Sequence, residues 1–159
     1  RRRPDGDGRQ AATEAARAAR YPPSGSGPVA LACRAELDGD DYVERANDEV
    51  AVIVQIEHID AVARAEDILT APGVDMGFVG PNDLAWSMGV EPGSVEHEAA
   101  IADALAVARR VGRPLGILTA DGAAAHARIQ QGFLFVGVGS DLTCMKAGAA
   151  RSLRTARGE

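Results

Sequence analysis

The chain has 159 residues, of which 46% are hydrophobic and 25% charged, and its formal net charge is −6 at pH 7. This composition predicts one globular domain with a sizeable core, and the acidic balance argues against a nucleic-acid partner. No apolar run reaches the roughly 20 residues of a membrane helix, and none follows Arg1–Arg3 as in a signal peptide, so no membrane partner is expected. The two cysteines, Cys33 and Cys144, show no paired-motif spacing, which favours a reduced, cytoplasmic protein.

The beginning of the chain carries little periodic signal. Residues 1–10 are rich in Arg, Gly and Asp, and we expect them to be disordered or unrelated to the domain at residues 11–159. An alanine-rich helix is predicted over Ala11–Arg20. It should end at Tyr21-Pro22-Pro23, because a residue before proline disfavours helical backbone. After a loop, Asp41 is placed to cap a short helix that reaches Asn47.

From Val50 onward, strands and helices alternate four times. The predicted strands are Val50–Glu57, Met76–Val79, Pro114–Leu118 and Phe133–Val138. The predicted helices run over Ile59–Leu69, from the Asp83 loop to Val111, from Asp121 as cap to Gln131, and onward from near Asp141. This rhythm predicts an α/β fold with a parallel sheet and right-handed crossovers.

The number of units limits the architecture. A complete (β/α)8 barrel needs about 200 residues or more, so four units amount to about half of one. An open four-stranded sheet is the alternative, although its two edges would expose apolar strands. We therefore expect the chain by itself to be poorly stable as a monomer and to associate.

Two carboxylates follow neighbouring strands, where α/β proteins hold their active sites. Glu57 ends the first strand, and Asp83 follows the second after the strand stop at Gly80-Pro81. Gln55 lies two residues before Glu57, so both side chains point to the same side. Two oxygen donors without a histidine or cysteine cluster suit a hard cation such as Mg²⁺ or Mn²⁺, completed by water and substrate oxygens. The alternative is that both carboxylates serve as helix caps, turn residues or ion-pair partners.

Six short motifs occur in a characteristic order. They are Tyr21-Pro22-Pro23, Ala46-Asn47-Asp48-Glu49, Val54-Gln55-Ile56-Glu57, Gly80-Pro81-Asn82-Asp83-Leu84, Gly116-Ile117-Leu118 and Phe135-Val136-Gly137-Val138-Gly139-Ser140-Asp141. In this order and spacing the chain resembles the metal-dependent (class II) pyruvate aldolases of the HpcH/HpaI family. The third and fourth motifs are specific as a pair, whereas either alone is weak.

The resemblance implies a TIM barrel, of which this chain is the C-terminal half. It implies that Glu57 and Asp83 bind Mg²⁺, Mn²⁺ or Co²⁺, and that Gln55 contacts a bound 2-oxo acid. The segment Gly80, Pro81 and Asn82 would receive the substrate carboxylate, and Asp141 would cap the last helix. The implied reaction cleaves 4-hydroxy-2-oxo acids to pyruvate and an aldehyde, in a homo-oligomer that is hexameric in many members. No residue of this chain matches a catalytic acid or base of the family.

Two departures bear on activity. The family carries an arginine in a Gly-x-Arg-Gly loop after Tyr-Pro-Pro, whereas residues 24–28 here read Ser-Gly-Ser-Gly-Pro, and only Arg34 lies near. The family's catalytic histidine lies upstream of the matched region. We expect the chain by itself to cleave such acids at least about a thousandfold more slowly than a complete member. The alternatives are an acyl-CoA lyase of the citrate-lyase β type, which a basic cluster would favour, and a non-catalytic remnant that binds metal or assembles with an intact homologue.

Several single residues carry further expectations. His58 is expected to begin a helix, whereas His97 and His126 are expected on exposed helix faces. Trp86 is expected to pack beneath the site rather than to wall it. The helical spacing of Met145 predicts a place in the core.

Overall fold

The protein is described by a computed structural model that covers residues 7–27, 39 and 41–159. Its sheet consists of four strands, β1 (Ile53–Ile56), β2 (Met76–Val79), β3 (Leu115–Thr119) and β4 (Phe135–Val138). All neighbouring strands are parallel, and their order in the sheet is their order in the chain. The predicted α/β class and parallel sheet are confirmed.

The described residues contain eight helices. They are α1 (Asp7–Ala18), α2 (Tyr42–Glu49), α3 (Ile59–Ala63), α4 (Ala65–Leu69), α5 (Pro81–Met88), α6 (Val95–Arg110), α7 (Gly122–Gln131) and α8 (Asp141–Arg157). None of them is long and apolar enough to cross a membrane.

Three helix predictions need correction. Helix α1 begins at Asp7 rather than Ala11, so residues 7–10 are helical rather than disordered; residues 1–6 lie outside the described residues. The predicted helix Ile59–Leu69 is split at Arg64, whose backbone leaves helical geometry. The helix predicted to run up to Val111 is split into α5 and α6, because Gly89 adopts a left-handed φ of 68° and ends α5.

One face of the sheet carries the main core. Alternate strand side chains, including Ile56, Val79 and Ile117, are fully buried there under the helices. From α6 they meet Ile101 and Leu105, which belong to the predicted apolar stripe of that helix. Each strand therefore presents one set of alternate side chains to the helical layer.

Among the described residues, no helix packs over the apolar side chains of the opposite face of the sheet. Strand register and alternation place Ile53, Gln55, Phe78, Leu118 and Phe135 on it, and we call these five residues the open sheet face. Three of its apolar members are strongly exposed, namely Ile53 (42%), Leu118 (41%) and Phe135 (50%). A contiguous apolar face of this kind needs a partner surface.

Two of the sequence motifs contact each other beside the sheet. The Tyr21 backbone N–H donates to Asn47 Oδ1 at 2.7 Å, and Asn47 Nδ2 donates back to the Tyr21 carbonyl at 3.0 Å. Nearby, Arg20 donates to the Gly73 carbonyl and to Asp75 Oδ2, which also accepts from the Val52 N–H at 2.7 Å. The first pair of bonds joins the end of α1 to α2, and the bonds of Arg20 and Asp75 join it to the segments that lead into β1 and β2.

Helix α8 lies on the outside of the fold. No residue of α8 is buried against the part of the chain that the structure describes, and Leu142, Met145 and Leu153 are exposed. The predicted core position of Met145 is therefore wrong. The cap of this helix is Ser140 rather than the predicted Asp141, because Ser140 and Thr143 form a reciprocal capping box.

Candidate active site

The predicted site residues lie where β1 and β2 end. Ile56 pairs with Val79, so Glu57 and Gly80 occupy the next positions on neighbouring strands. A Cβ built on Gly80 would lie only 2.7 Å from Glu57 Oε2 and 3.1 Å from Glu57 Cβ. Glycine at position 80 therefore permits the Glu57 carboxylate to lie directly against the start of α5.

Gln55 holds the same carboxylate from the strand side. With its amide nitrogen toward Glu57, Gln55 Nε2 donates to Glu57 Oε2 at 2.9 Å and to Oε1 at 3.1 Å. The reverse amide orientation would set oxygen against oxygen, so the hydrogen bonds fix the orientation. The predicted placement of both side chains on one side of β1 is confirmed. Gln55 thus orients the half-buried Glu57 carboxylate and leaves it further lone pairs for a ligand.

Asp83 lies in the first turn of α5 rather than in a loop. Gly80 is the N-cap of this helix and Pro81 its first residue, and Leu84 N–H donates to the Gly80 carbonyl at 3.0 Å. The N–H groups of Asn82 and Asp83 have no partner within the helix, and Pro81 has no N–H to offer. Asn82 and Asp83 both expose their side chains. This helix start therefore presents two N–H donors beside two carboxylates.

Ser87, which the sequence analysis missed, braces α5 against the end of β1. Its hydroxyl donates to the Leu84 carbonyl at 2.8 Å and accepts from the Ile59 N–H at 3.0 Å. Ile59 is the first residue of α3 and follows Glu57 by two positions. The hydroxyl thereby sets the spacing between the segments that carry Glu57 and Asp83.

His97, the second missed brace, is buried rather than exposed as predicted. Only 2% of it is exposed, and its ring bridges α6 to the start of α5. Nδ1 accepts from the Gly93 N–H at 2.9 Å, and Nε2 lies 2.8 Å from the Pro81 carbonyl oxygen. Ser94, as the N-cap of α6, places His97 in the first turn of the helix. The sequence could have revealed the Ser94 cap and, with it, the place of His97 in the first turn of α6. Which side of α6 faces α5 depends on how the two helices pack, which the sequence alone does not give.

Of the other single-residue predictions, those for His58 and His126 are confirmed and the one for Trp86 is wrong. His58 is the N-cap of α3, so its predicted position at a helix start is confirmed; its Nδ1 accepts from the Asp60 N–H at 3.1 Å. His126 is exposed, also as predicted. Trp86 is 84% exposed, so the expectation that it packs beneath the site is wrong. Its neighbours Leu84 and Ala85 fill the buried side of α5 instead.

The loop that departs from the family pattern ends α1. The Gly25 N–H donates to the Tyr21 carbonyl at 3.0 Å, and the Gly27 N–H donates to the Arg20 carbonyl at 2.8 Å. A Cβ on Gly25 would collide with the Arg20 carbonyl, so only glycine fits there. Residues 24–27 therefore serve as a helix stop, while Pro28 and Arg34 lie outside the described residues.

The donor set is suited to a hard cation. Across the described ranges, no group of three or more His, Cys, Asp or Glu side chains is arranged to hold a metal ion. The rim of the sheet instead offers the carboxylates of Glu57 and Asp83, the first of them oriented by Gln55. Two carboxylates fit an ion such as Mg²⁺, which keeps several waters and takes further oxygens from substrate.

Comparison with known proteins gives the family. A family model described as HpcH/HpaI aldolase/citrate lyase matches residues 2–147. The chain belongs to this family. The match begins ahead of the domain boundary expected at residue 10, and it includes both carboxylates and the start of α5.

Two named relatives and one solved structure resemble the chain over most of its length. It is 42% identical over 142 residues to the hydroxypyruvate/pyruvate aldolase of Sagittula stellata, covering 87% of this chain and 56% of that protein. It is 42% identical over 147 residues to the 4-hydroxy-2-oxo-heptane-1,7-dioate aldolase of Shigella sonnei, covering 89% and 56%. A solved structure of an HpcH/HpaI aldolase/citrate lyase family protein from Burkholderia cenocepacia superposes with a TM-score of 0.85 at 35% identity, covering 95% of this chain and 62% of that one. The chain thus spans a little over half the length of these relatives.

Proposed function

We propose that the chain carries the metal and 2-oxo-acid site of an aldehyde-lyase that cleaves 4-hydroxy-2-oxo acids to pyruvate and an aldehyde. The proposal rests on one observation: the Glu57 carboxylate lies against Gly80, at the start of the helix that contains Asp83. The names of the two relatives, both aldolases, support the same reaction class.

Each residue of the site has a role in this proposal. Glu57 and Asp83 hold a divalent cation, Mg²⁺, Mn²⁺ or Co²⁺, while Gln55 orients Glu57 and reaches the substrate. When bound, the cation supplies Lewis acidity to a coordinated 2-oxo acid. The N–H groups of Asn82 and Asp83 receive the substrate carboxylate at the positive end of α5. We assign no residue of this chain as the general base.

The surroundings of the site support three wider proposals. The exposed apolar residues of the open sheet face support its being covered by further barrel strands. The unburied apolar side of α8, with Leu142, Met145 and Leu153, supports a homo-oligomer. The free thiol of Cys144 supports a reducing compartment such as the cytoplasm.

Metal binding is the first test. Mn²⁺ is titrated into the wild-type chain and into the double variant Glu57→Ala/Asp83→Ala, and the free ion is followed by electron paramagnetic resonance. We expect one site in the wild type and none in the variant. The double variant Glu96→Ala/Asp103→Ala removes the same charge from exposed positions of α6 and should bind like the wild type. Equal binding by all three proteins would contradict the assignment.

Turnover is the second test. Pyruvate release from a 4-hydroxy-2-oxo acid is coupled to lactate dehydrogenase in the presence of Mg²⁺, Mn²⁺ or Co²⁺. We expect slow, metal-dependent release, because residues 21–27 carry no arginine to stabilise oxyanion charge. Metal binding with no release at all would favour the non-catalytic alternative. Turnover of about 1 per second or faster would contradict the expected thousandfold deficit.

A further inference from the structure

His97 is a buried polar side chain that the proposed chemistry does not use. Of the three histidines in the chain it alone is buried, whereas His58 and His126 are exposed. Both of its ring nitrogens are occupied, Nδ1 by the Gly93 N–H and Nε2 by the Pro81 carbonyl. Because Nδ1 accepts a hydrogen bond from the Gly93 N–H, it carries no proton, so the ring proton is on Nε2, which donates to the Pro81 carbonyl.

The Pro81 carbonyl belongs to the peptide group whose other end is the Asn82 N–H. A trans peptide is planar, so its carbonyl and its N–H point in opposite directions. Helical geometry directs the Pro81 carbonyl along α5 toward the Ala85 N–H, and the hydrogen bond from His97 holds the same carbonyl a second time, from α6. The Asn82 N–H, at the other end of this peptide group, is held with it. Donation to the carbonyl further polarises the peptide group and strengthens that N–H as a donor.

We propose that His97 is a positioning residue that aims the Asn82 N–H at the carboxylate of a bound 2-oxo acid. The inference rests on the proposed function, since it gives that N–H the ligand named there. His97 itself does not touch the substrate. It acts through one peptide group at the start of α5, while the Glu57 carboxylate is held independently by Gln55 and Gly80.

Two substitutions separate the two hydrogen bonds of His97. In His97→Asn the side-chain oxygen reaches the position of Nδ1 and keeps the Gly93 bond, but the donor to Pro81 is lost. In His97→Gln the amide nitrogen reaches the position of Nε2 and keeps the donor to Pro81, but the Gly93 bond is lost. The matched control is His126→Asn, the same change at an exposed position of α7.

Two dissociation constants are measured for the wild type and all three variants: that of Mn²⁺ alone, and that of pyruvate at saturating Mn²⁺. Circular dichroism checks that each variant is folded. A neutral hydrogen bond contributes about 0.5–1.5 kcal/mol, so we expect His97→Asn to weaken pyruvate binding roughly three- to tenfold. We expect its Mn²⁺ affinity to stay within about twofold of the wild type. His97→Gln should restore pyruvate affinity, and His126→Asn should change neither constant.

A merely structural role for His97 gives a different pattern. In that case the two His97 variants lose stability together, and their Mn²⁺ and pyruvate affinities fall in parallel or not at all. Unchanged pyruvate binding in a folded His97→Asn variant overturns the inference and leaves the proposed function intact. If His97→Asn does not fold, loss of pyruvate binding by a folded His97→Gln variant overturns it, as does failure of both variants to fold. A wild type that binds neither Mn²⁺ nor pyruvate overturns the proposed function and this inference with it.

Discussion

Substituting Gly80 by alanine tests how closely the Glu57 carboxylate is held. The backbone of Gly80 has φ −95° and ψ 92°, a conformation open to alanine, so the change introduces no backbone strain. The new methyl group would instead lie 2.7 Å from Glu57 Oε2 and 3.1 Å from Glu57 Cβ. The flexible carboxylate end of Glu57 must then move, and its Cβ must shift by a few tenths of an ångström.

The two effects of Gly80→Ala differ in size. An alanine that fits its backbone stabilises by about 0.4–1 kcal/mol through the unfolded chain. Displacing a half-buried side chain costs a similar amount, so we expect the Tm to stay within about 4 °C of the wild type. We expect a larger effect on metal affinity than on stability, because loss of ligand orientation typically weakens metal binding about 10–100-fold. Gly80→Ala should therefore weaken Mn²⁺ binding by at least about tenfold with little change in stability.

The assay pairs Mn²⁺ titration with thermal unfolding followed by circular dichroism. The control is Gly148→Ala in α8, where an added Cβ meets no atom within 4 Å. That control should leave Mn²⁺ affinity unchanged and should stabilise by up to about 1 kcal/mol, because alanine is the better helix former. Mn²⁺ binding by Gly80→Ala within about twofold of the wild type would refute the reasoning that the Glu57 carboxylate, held at this position, is a ligand.

Two further predictions concern stability and association. Hydrogen bonds from Arg128 hold the pKa of Glu98 below its usual value. The pair therefore stabilises the protein at pH values above the pKa that Glu98 has in the unfolded chain. This stabilisation is lost as the pH falls through the lower pKa that Glu98 has in the folded protein. Arg128→Met should lower the free energy of unfolding by about 0.5–1 kcal/mol near pH 7 and by less near pH 2; an equal difference in urea unfolding at both pH values would contradict this. The chain by itself should sediment as oligomers, and Ile53→Thr/Leu118→Thr on the open sheet face should shift it toward monomer, whereas Val95→Thr, exposed on α6, should not. A wild type that sediments as a clean monomer would count against the need for a covering partner.

The sequence predicted most reliably the features that depend on local chemistry, such as helix ends and the side to which strand side chains point. Helix α7 is capped by Asp121, whose side chain accepts from the Ala124 N–H, and it stops at Gly132, which adopts the left-handed conformation; the cap and the stop are both as predicted. The common side of Gln55 and Glu57 also followed, because alternation along a strand needs no knowledge of the neighbours. These features depend on a few consecutive residues, so a single sequence contains their causes.

Features that depend on packing between elements were missed. His97 sits on a helix among polar neighbours in sequence, yet the approach of α6 to α5 buries it against Pro81. Trp86 and Met145 have the apolar character of core residues, but the described fold brings no surface over them. The contact between Glu57 and Gly80 likewise depends on the register of β1 with β2, which no motif records.

The order of the strands has a consequence for how this protein is made. Each strand pairs with the next strand along the chain, and among the described strands no later one is inserted between earlier ones. Such a sheet has a low separation between partners, so closing each loop costs little entropy and assembly can advance from one unit to the next. During synthesis, β1 and β2 can join before β4 has left the ribosome. Glu57 would then meet Gly80 at the start of α5 while α8 is still being translated.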